Sequence, residues 1–344
     1  RATLEALGFT LEGDMAHVPS WRPDVQGSAD LVEEVARIAS LTKLEGVPLP
    51  RLTDGVPRPI LLPAQRRESA ARRACAALGY NECVTYSFID QASAALFGGG
   101  TDATMLENPI SSDMSHMRPA LLPGLLAAAA RNQARGFGDM ALFEVGPAFS
   151  GGEPGEQNML VSGLLIGRTG PKDVHGASRP VDVFDVKADA EAILAAIGAP
   201  AKVQILRDAG DEWHPGRHGK ICLGPKKVLC IFGEVHPKIL AAMDVKGPAM
   251  AFTIWPAEVP LPRKTGATRP ALKISDLQAV ERDFAFVVDV DVEALTLVNA
   301  AIGADKALIA DVRVFDEFVG GSLGEGKKSL AITVRLQPEG ETLK

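Results

Sequence analysis

Apolar runs of strand length that follow one another without an intervening helix constrain the fold of this chain most. Met140–Phe149 and Met159–Gly167 form such a succession. Further strands are predicted at 81–89, 221–223, 228–234 and 249–254, and helices at 64–78, 122–133 and 185–198. Strands in runs, with helices between only some of them, are typical of an antiparallel sheet flanked by helices. We therefore predict an α+β core over about 57–262.

The C-terminal stretch, 275–344, has its own pattern. Strands are predicted at 284–288, 308–318 and 329–336, a helix at 292–302, and a glycine-rich hairpin turn before the last strand. The order β-α-β-β is the first part of a ferredoxin-like fold, which continues with a helix and a strand. An incomplete ferredoxin-like domain is the expectation.

The N-terminal stretch, 1–50, predicts a small helix–strand–helix domain. Its first helix ends near Gly8, a strand is predicted at 16–19, and Asp30 is expected to open the second helix, with Glu33 at capping-box spacing. The proline-rich segment Arg51–Pro63 predicts an extended linker. The first residues have neither an initiator Met nor a signal-peptide pattern, so we expect a piece of a longer protein.

Composition excludes several classes of protein. The formal net charge of −7 argues against a general polyanion binder, which needs clustered Lys and Arg. No apolar run approaches the ~20 residues that span a bilayer. The four cysteines form no C-x-x-C pair, so we expect buried free thiols rather than a zinc site, and a reducing cytoplasmic location.

Four carboxylates gather around the predicted second helix: Asp24, Asp30, Glu33 and Glu34. Positions i+3 and i+4 from Asp30 lie on its side of a helix, and Asp24 comes from the preceding turn. Oxygen ligands of this kind suit a hard cation such as Mg²⁺. The alternative, which spacing alone favours, is an acidic first turn that caps the helix and interacts with its dipole.

Two single residues are weaker candidates. His116 lies in a polar loop sequence without an evident nucleophile or base, so we expect a bystander. Glu144 lies inside an apolar strand. It is expected either to be buried beside a cation, for which Arg131 and Arg135 are close in sequence, or to face solvent.

His214 and His218 have the i, i+4 spacing of a helical metal pair. Pro215 and Gly216 between them argue against a helix, so we expect a turn that presents Arg217 to an anion or a carboxylate. The sequence contains neither G-x-x-x-x-G-K-[ST] nor G-x-G-x-x-G, so no glycine-rich phosphate loop is expected.

Several motifs, in order along the whole chain, resemble the β subunit of bacterial phenylalanine–tRNA ligase. Pro19–Asp24 with Asp30–Ile38 resembles the winged-helix-like domain of that family. The motifs that resemble its central domain are Asn108–Leu126, Asn132–Phe149, His214–Arg217 and Gly233–Pro237. Those that resemble its ferredoxin-fold anticodon-binding domain are Glu281–Asp283, Val314–Asp316 and Lys328–Ala331.

The resemblance implies a fold for each part. It implies a partial winged-helix-like domain at 1–50, a class II synthetase-like core at 57–262 that has lost its chemistry, and a partial anticodon-binding domain at 275–344. A class II active site has an Arg after the strand aromatic of its second motif, where it clamps ATP. Here Ser150 follows Phe149, and the later Gly-rich motif with its Arg is absent near Ala249–Trp255. No catalytic or cofactor-binding residue is expected.

The resemblance also implies partners and ligands. The carboxylates Asp24, Asp30, Glu33 and Glu34 would hold Mg²⁺ shared with the α subunit. ATP and phenylalanine would bind on α, tRNA would be positioned by the full enzyme, and two α and two β subunits would form a heterotetramer. Editing cannot be assigned, because the motifs of that domain are not in this sequence. The stretch 275–344 has 7 Lys and Arg against 13 Asp and Glu, a net of −6, so we expect weak or no tRNA binding by this chain alone.

Three other functions remain open from the sequence. An autonomous class II adenylating enzyme would carry out ATP–pyrophosphate exchange, and Ser150 argues against it. A DNA-binding protein would use a basic winged-helix surface, whereas the helix after Asp30 opens with acids. A generic partner-binding protein would be isolated in complexes without any α subunit.

Overall fold

Most helices and strands of the structure lie where the apolar pattern predicts them. The structure is a computed structural model, and it describes residues 1–50, 60–171, 174, 176–207, 210–261, 271–272 and 274–342. The chain divides into two compact units, Arg1–Leu261 and Pro262–Lys344. Most of the predicted linker, 51–59, lies outside the described residues, and Pro63 is already the first residue of a helix.

The N-terminal part contains two helices and a hairpin. Its elements are α1 (Ala2–Ala6), β1 (Thr10–Glu12), β2 (Met15–His17) and α2 (Ser28–Ala39). The predicted strand at 16–19 is therefore one half of an antiparallel pair with β1. Leu4, Phe9 and Val25 form a small core beneath it.

The start of α2 differs from the prediction. Asp30 was expected at the cap, but the helix begins at Ser28 and Asp30 is its third residue. Asp30 Oδ2 accepts hydrogen bonds from the backbone N–H groups of Gln26 and Gly27, each at 2.8 Å. Asp30 thus accepts hydrogen bonds from N–H groups that precede the helix, from a position inside its first turn. In a capping box the third helical residue makes this same contact back to the N-cap.

The central part has strands and helices in the order α3 (Pro63–Ala77), β3 (Asn81–Glu82), β4 (Phe88–Ile89), α4 (Gln91–Ala95), β5 (His116–Met117), α5 (Leu122–Ala134), β6 (Met140–Phe149), β7 (Gln157–Ile166), α6 (Val183–Ala196), β8 (Gln204–Leu206), β9 (Trp213–Leu223), β10 (Lys227–Val235), α7 (Pro237–Ala242) and β11 (Ala249–Ile254). The predicted strand over 81–89 keeps only its two ends, β3 and β4.

Seven of these strands form one sheet in the order β3-β6-β7-β11-β10-β9-β8. Every neighbouring pair is antiparallel except the short pair of β3 and β6. Side chains alternate across it, so Phe143 packs with α3 and α6 on one face while Leu142 packs with α5 and α7 on the other. The predicted antiparallel sheet with flanking helices is confirmed.

The second unit is a three-stranded sheet with one helix. Its elements are β12 (Val280–Asp289), α8 (Ala294–Ala304), β13 (Ile309–Phe318) and β14 (Lys327–Leu336). The strand order is β12-β14-β13, with both pairs antiparallel. Leu297 and Val298 of α8 pack on Val312, Ile332 and Val334. The predicted β-α-β-β order is confirmed.

Candidate functional site

The acidic constellation of the N-terminal part is organised around Arg22. Its Nη1 and Nη2 atoms donate to the two oxygens of Glu34, both at 2.9 Å. Its Nε and Nη2 atoms also donate to Asp24, the shorter contact being 2.7 Å. Arg37, one turn along α2, donates to Glu34 Oε2 at 2.7 Å. One guanidinium therefore bridges the turn and the helix, in the fork geometry that suits carboxylates.

Charge and burial agree with this pairing. The Glu34 side chain is 7% exposed, and hydrogen bonds from Arg22 and then Arg37 lower its pKa to about 2. The hydrogen bond from Arg22 likewise lowers the pKa of Asp24 below its usual range. Both carboxylates are ionised near neutral pH, and each already has a positive partner.

The four predicted ligands are not brought together into one cluster. Asp24 and Glu34 converge on Arg22, Asp30 accepts from backbone N–H groups of the first turn, and Glu33 is exposed. Among the described residues no group of three or more His, Cys, Asp or Glu side chains is placed to hold a metal ion. As arranged here the residues do not fit a Mg²⁺ site, and the magnesium assignment stays a prediction.

The central sheet contains a buried ion pair whose partner the sequence did not reveal. Arg118 Nη1 donates to Glu144 Oε1 at 2.7 Å, and the side chains are 2% and 4% exposed. Thr85 Oγ1 donates to Glu144 Oε2 at 2.7 Å, and Arg118 Nε donates to the Pro147 carbonyl. Of the two alternatives for Glu144, burial beside a cation is the one the structure shows, but the cation is Arg118 and neither Arg131 nor Arg135. A lone acid in an apolar strand, if buried, indicates a cation from elsewhere in the chain.

The two histidine motifs occupy regular structure. His116 lies in β5 and is buried. Its Nδ1 is hydrogen-bonded to Ser115 Oγ, while its Nε2 has no hydrogen-bond partner. His214 and His218 lie in β9, so the predicted turn there is wrong. Arg217 does meet a carboxylate, as expected, because its Nη1 donates to Glu234 Oε2 at 2.5 Å.

Ser150 stands at the end of β6 on the exposed connection to β7. Its backbone N–H and its hydroxyl both donate to the Glu156 carbonyl, at 2.8 and 2.9 Å. The residue therefore closes a turn, and its place as the counterpart of an ATP-clamping Arg stays a prediction.

The cysteines are free thiols, as expected. Cys75, Cys222 and Cys230 are buried and Cys83 is partly buried. Burial raises the pKa of Cys75 to about 12, so this thiol is not a nucleophile at neutral pH. No helix among the described residues has the length and apolarity needed to cross a membrane.

Family models match the chain in three consecutive stretches. Residues 51–255 match the phenylalanyl tRNA synthetase beta chain CLM domain, residues 275–344 match the ferredoxin-fold anticodon binding domain, and residues 1–40 match the tRNA synthetase B5 domain.

Curated relatives match over the whole chain. The phenylalanine–tRNA ligase beta subunit of Ruegeria pomeroyi is 80% identical over 344 residues, and that of Cereibacter sphaeroides is 70% identical over 347. The chain spans 43% of the length of each. A crystal structure of pyrrolysyl-tRNA synthetase from Desulfitobacterium hafniense is 14% identical with a TM-score of 0.44, covering 72% of this chain and 82% of that one. On the family match over the central sheet, the chain belongs to the phenylalanyl-tRNA synthetase beta-chain family.

Proposed function

We propose that this chain is a non-catalytic part of phenylalanine–tRNA ligase that supports attachment of phenylalanine to its tRNA by assembling with a catalytic α subunit and positioning tRNA. The match of three beta-chain and tRNA-synthetase domains in order along the sequence carries this proposal. The relatives from Ruegeria pomeroyi, Cereibacter sphaeroides and Rhodospirillum rubrum, which match over 99–100% of the chain, are named as beta subunits of that ligase.

The packing of the central sheet supports a role without chemistry. Buried apolar side chains of the sheet pack against α3 and α6 on one face and against α5 and α7 on the other. The buried charges Arg118 and Glu144 satisfy each other instead of pointing at a ligand. An active site needs polar groups that converge on open space.

The finer assignments belong to the same proposal. The central sheet would be a class II synthetase-like core, and α1, the β1–β2 hairpin and α2 would be a winged-helix-like domain. The α subunit would bind ATP and phenylalanine, and the whole ligase would use Mg²⁺. Two α and two β subunits would form the heterotetramer, in the cytoplasm.

Reconstitution with a purified α subunit tests the proposal. We expect the 344-residue chain to co-elute with α in size-exclusion chromatography with light scattering, and to give no ATP–pyrophosphate exchange alone. We expect Ser150→Ala to match the unmodified chain in both assays, because Ser150 only closes a turn. Exchange activity of the chain by itself, or failure to bind α, contradicts the proposal.

A further inference from the structure

A cavity of about 760 Å³ lies at the β3 edge of the central sheet, lined by residues of β3, β6 and α6. Its apolar lining includes the buried side chains of Leu142, Leu165 and Val181. Phe137, which also lines it, is 60% exposed. A concave surface of this size, with an apolar lining and a few polar groups, is the usual form of a site for a small molecule.

The carboxylate of Asp189, on α6, determines the chemistry of this cavity. Tyr80 is 5% exposed, and its Oη donates to Asp189 Oδ2 at 2.6 Å. Burial raises the pKa of Asp189 and the charge of Asp185 raises it further, against the hydrogen bond from Tyr80. Asp185 is itself paired with Arg179 at 2.6 Å, whereas no Lys, Arg or His within the described ranges pairs with Asp189. A cation that enters the cavity would therefore offset an unbalanced, partly buried charge.

The other charges around the cavity favour an organic cation over an anion or a metal ion. Asp139 adds a third carboxylate, and its Oδ1 accepts from the backbone N–H of Arg168 at 3.0 Å. The guanidinium of Arg168 donates to the side chain and the carbonyl of Ser178, so this cation is already engaged. In the part of the chain that the structure describes, no three His, Cys, Asp or Glu side chains are placed to hold a metal ion.

A primary ammonium group matches the acceptors of the cavity. It is a compact charge with three N–H donors. Asp189 supplies the negative charge. Asn132 donates from its Nδ2 to the Ala128 carbonyl at 2.9 Å, which leaves its Oδ1 as a second acceptor. The exposed ring of Phe137 can interact with the cation through its face, and the apolar lining suits a hydrocarbon chain.

We propose that this cavity binds a primary amine on an apolar chain, with its ammonium group paired to Asp189. The bound amine supplies the cationic partner that the described side chains do not give Asp189. The proposal goes beyond the proposed function and does not rest on it, because the cavity is lined by this chain alone.

Isothermal titration calorimetry of the full 344-residue chain with n-pentylamine tests this. At about pH 8 and low salt the amine is charged and the carboxyl is ionised. We expect saturable binding with a dissociation constant of about 1 mM or tighter, which ligands as small as this reach. The matched probe n-pentanol has the same chain without the charge, and should bind about tenfold more weakly or less.

Three variants locate the binding. Asp189→Asn keeps an acceptor for Tyr80 Oη but removes the charge, and should weaken pentylamine binding by about tenfold or more, the lower range of coupling between close charges. Asp211→Asn removes the same charge from an exposed position that does not line the cavity, and should leave the affinity unchanged. Phe137→Ala shortens an exposed ring and should weaken binding about two- to fivefold. It decides the matter if circular dichroism shows Asp189→Asn to be unfolded.

The proposal is overturned if pentylamine binds no more tightly than pentanol. It is also overturned if whichever of Asp189→Asn and Phe137→Ala are folded keep the affinity of the unmodified chain. Equal weakening by Asp211→Asn and Asp189→Asn would mean general attraction to an acidic chain, and would overturn it too. Because the titration involves neither the α subunit nor tRNA, its outcome is separate from that of the reconstitution experiment.

Discussion

The ion pair of Arg118 and Glu144 is the clearest case in which individual side chains determine local structure. Arg118 lies just after β5 and Glu144 lies in β6, and Thr85 joins them from the segment between β3 and β4. These side-chain contacts add to the backbone hydrogen bonds and strand pairings that already join the three pieces of chain. Removing one member leaves the other charge buried and unpaired, which costs more than the pair contributes.

Glu144→Gln is therefore expected to lower the free energy of unfolding by about 3–5 kcal/mol. Urea denaturation followed by circular dichroism measures it. Glu82→Gln is the matched control, since the Glu82–Arg72 pair is about 40% exposed on both sides and should cost under about 1 kcal/mol. Equal effects of the two substitutions would contradict the prediction.

Asp189 and Tyr80 form a second polar contact, between α6 and the residue before β3. Tyr80 Oη donates to Asp189 Oδ2 at 2.6 Å. Burial raises the pKa of Asp189, although the hydrogen bond from Tyr80 opposes the rise. When a carboxyl group has a higher pKa in the folded state than in the unfolded state, its protonated form stabilises the fold. This contribution is fully present below the pKa of the unfolded state and is lost as the pH rises through the pKa of the folded state.

Asp189→Asn removes this titration, so its free energy of unfolding relative to the unmodified chain should rise with pH over the range above the unfolded pKa of Asp, about 4. Thermal unfolding over that range measures the difference. Asp102→Asn, at an exposed turn, is the control and should run parallel to the unmodified chain. If the free energy of unfolding of Asp189→Asn ran parallel to that of the unmodified chain over this pH range, burial would not be raising the pKa of Asp189.

At the scale of elements, the middle of the sheet depends on a residue without a side chain. Gly163 in β7 is paired with Phe143 and Phe252 across the sheet. A Cβ at this position would lie 2.3 Å from the ring of Phe252 and 3.1 Å from that of Tyr80. The two rings are themselves in edge contact, with centroids 5.9 Å apart.

Gly163→Ala is expected to destabilise the first unit by about 1–3 kcal/mol, as overpacking of a core does. Gly155→Ala, where a Cβ meets nothing within 4 Å, should change stability by less than about 0.5 kcal/mol. Denaturant titration of both variants provides the comparison. A neutral Gly163→Ala would mean that the Phe252 ring moves aside freely.

Elements with strong apolar periodicity were predictable and those held by side chains were not. The bounds of β6 agree with the prediction, and α5 and α6 agree to within two residues, because buried strands and amphipathic helices leave their period in the sequence. The stretch between β3 and β4 has the same alternation. It is held by the contact of Thr85 with Glu144 and by single backbone hydrogen bonds at Cys83 and Ser87, not by a continuous strand ladder, and a sequence pattern does not record that.

The candidate site was predictable as a set of residue types but not as an arrangement. The spacing of Asp30, Glu33 and Glu34 indicated that they share a helix, which is correct. The spacing could not indicate that Arg22 forms ion pairs with both Asp24 and Glu34, because those pairs depend on how the turn approaches α2. Likewise the partner of Glu144 is 26 residues away, beyond any local pattern.

For the whole molecule, charge limits what the chain binds unaided. The net charge is −7, and residues 275–344 have 13 acids against 7 bases. Two lysines at the start of β14 are already engaged, Lys327 with Asp289 at 2.5 Å and Lys328 with Glu317 at 3.3 Å. Phosphate binding requires cations that are free to replace counterions.

We therefore expect tRNA to bind this chain with a dissociation constant of about 10⁻⁴ M or weaker at physiological salt in filter-binding titrations. Asp289→Asn should free Lys327 for a phosphate and steepen the log–log salt dependence by about 0.7–0.9, the slope of one contact. Asp291→Asn changes the charge equally, two residues away, without releasing that lysine. Because only the freed lysine adds a contact, this control should leave the slope unchanged. Tight and steeply salt-dependent binding by the unmodified chain would mean that tRNA contacts a surface whose local charge outweighs the net acidity.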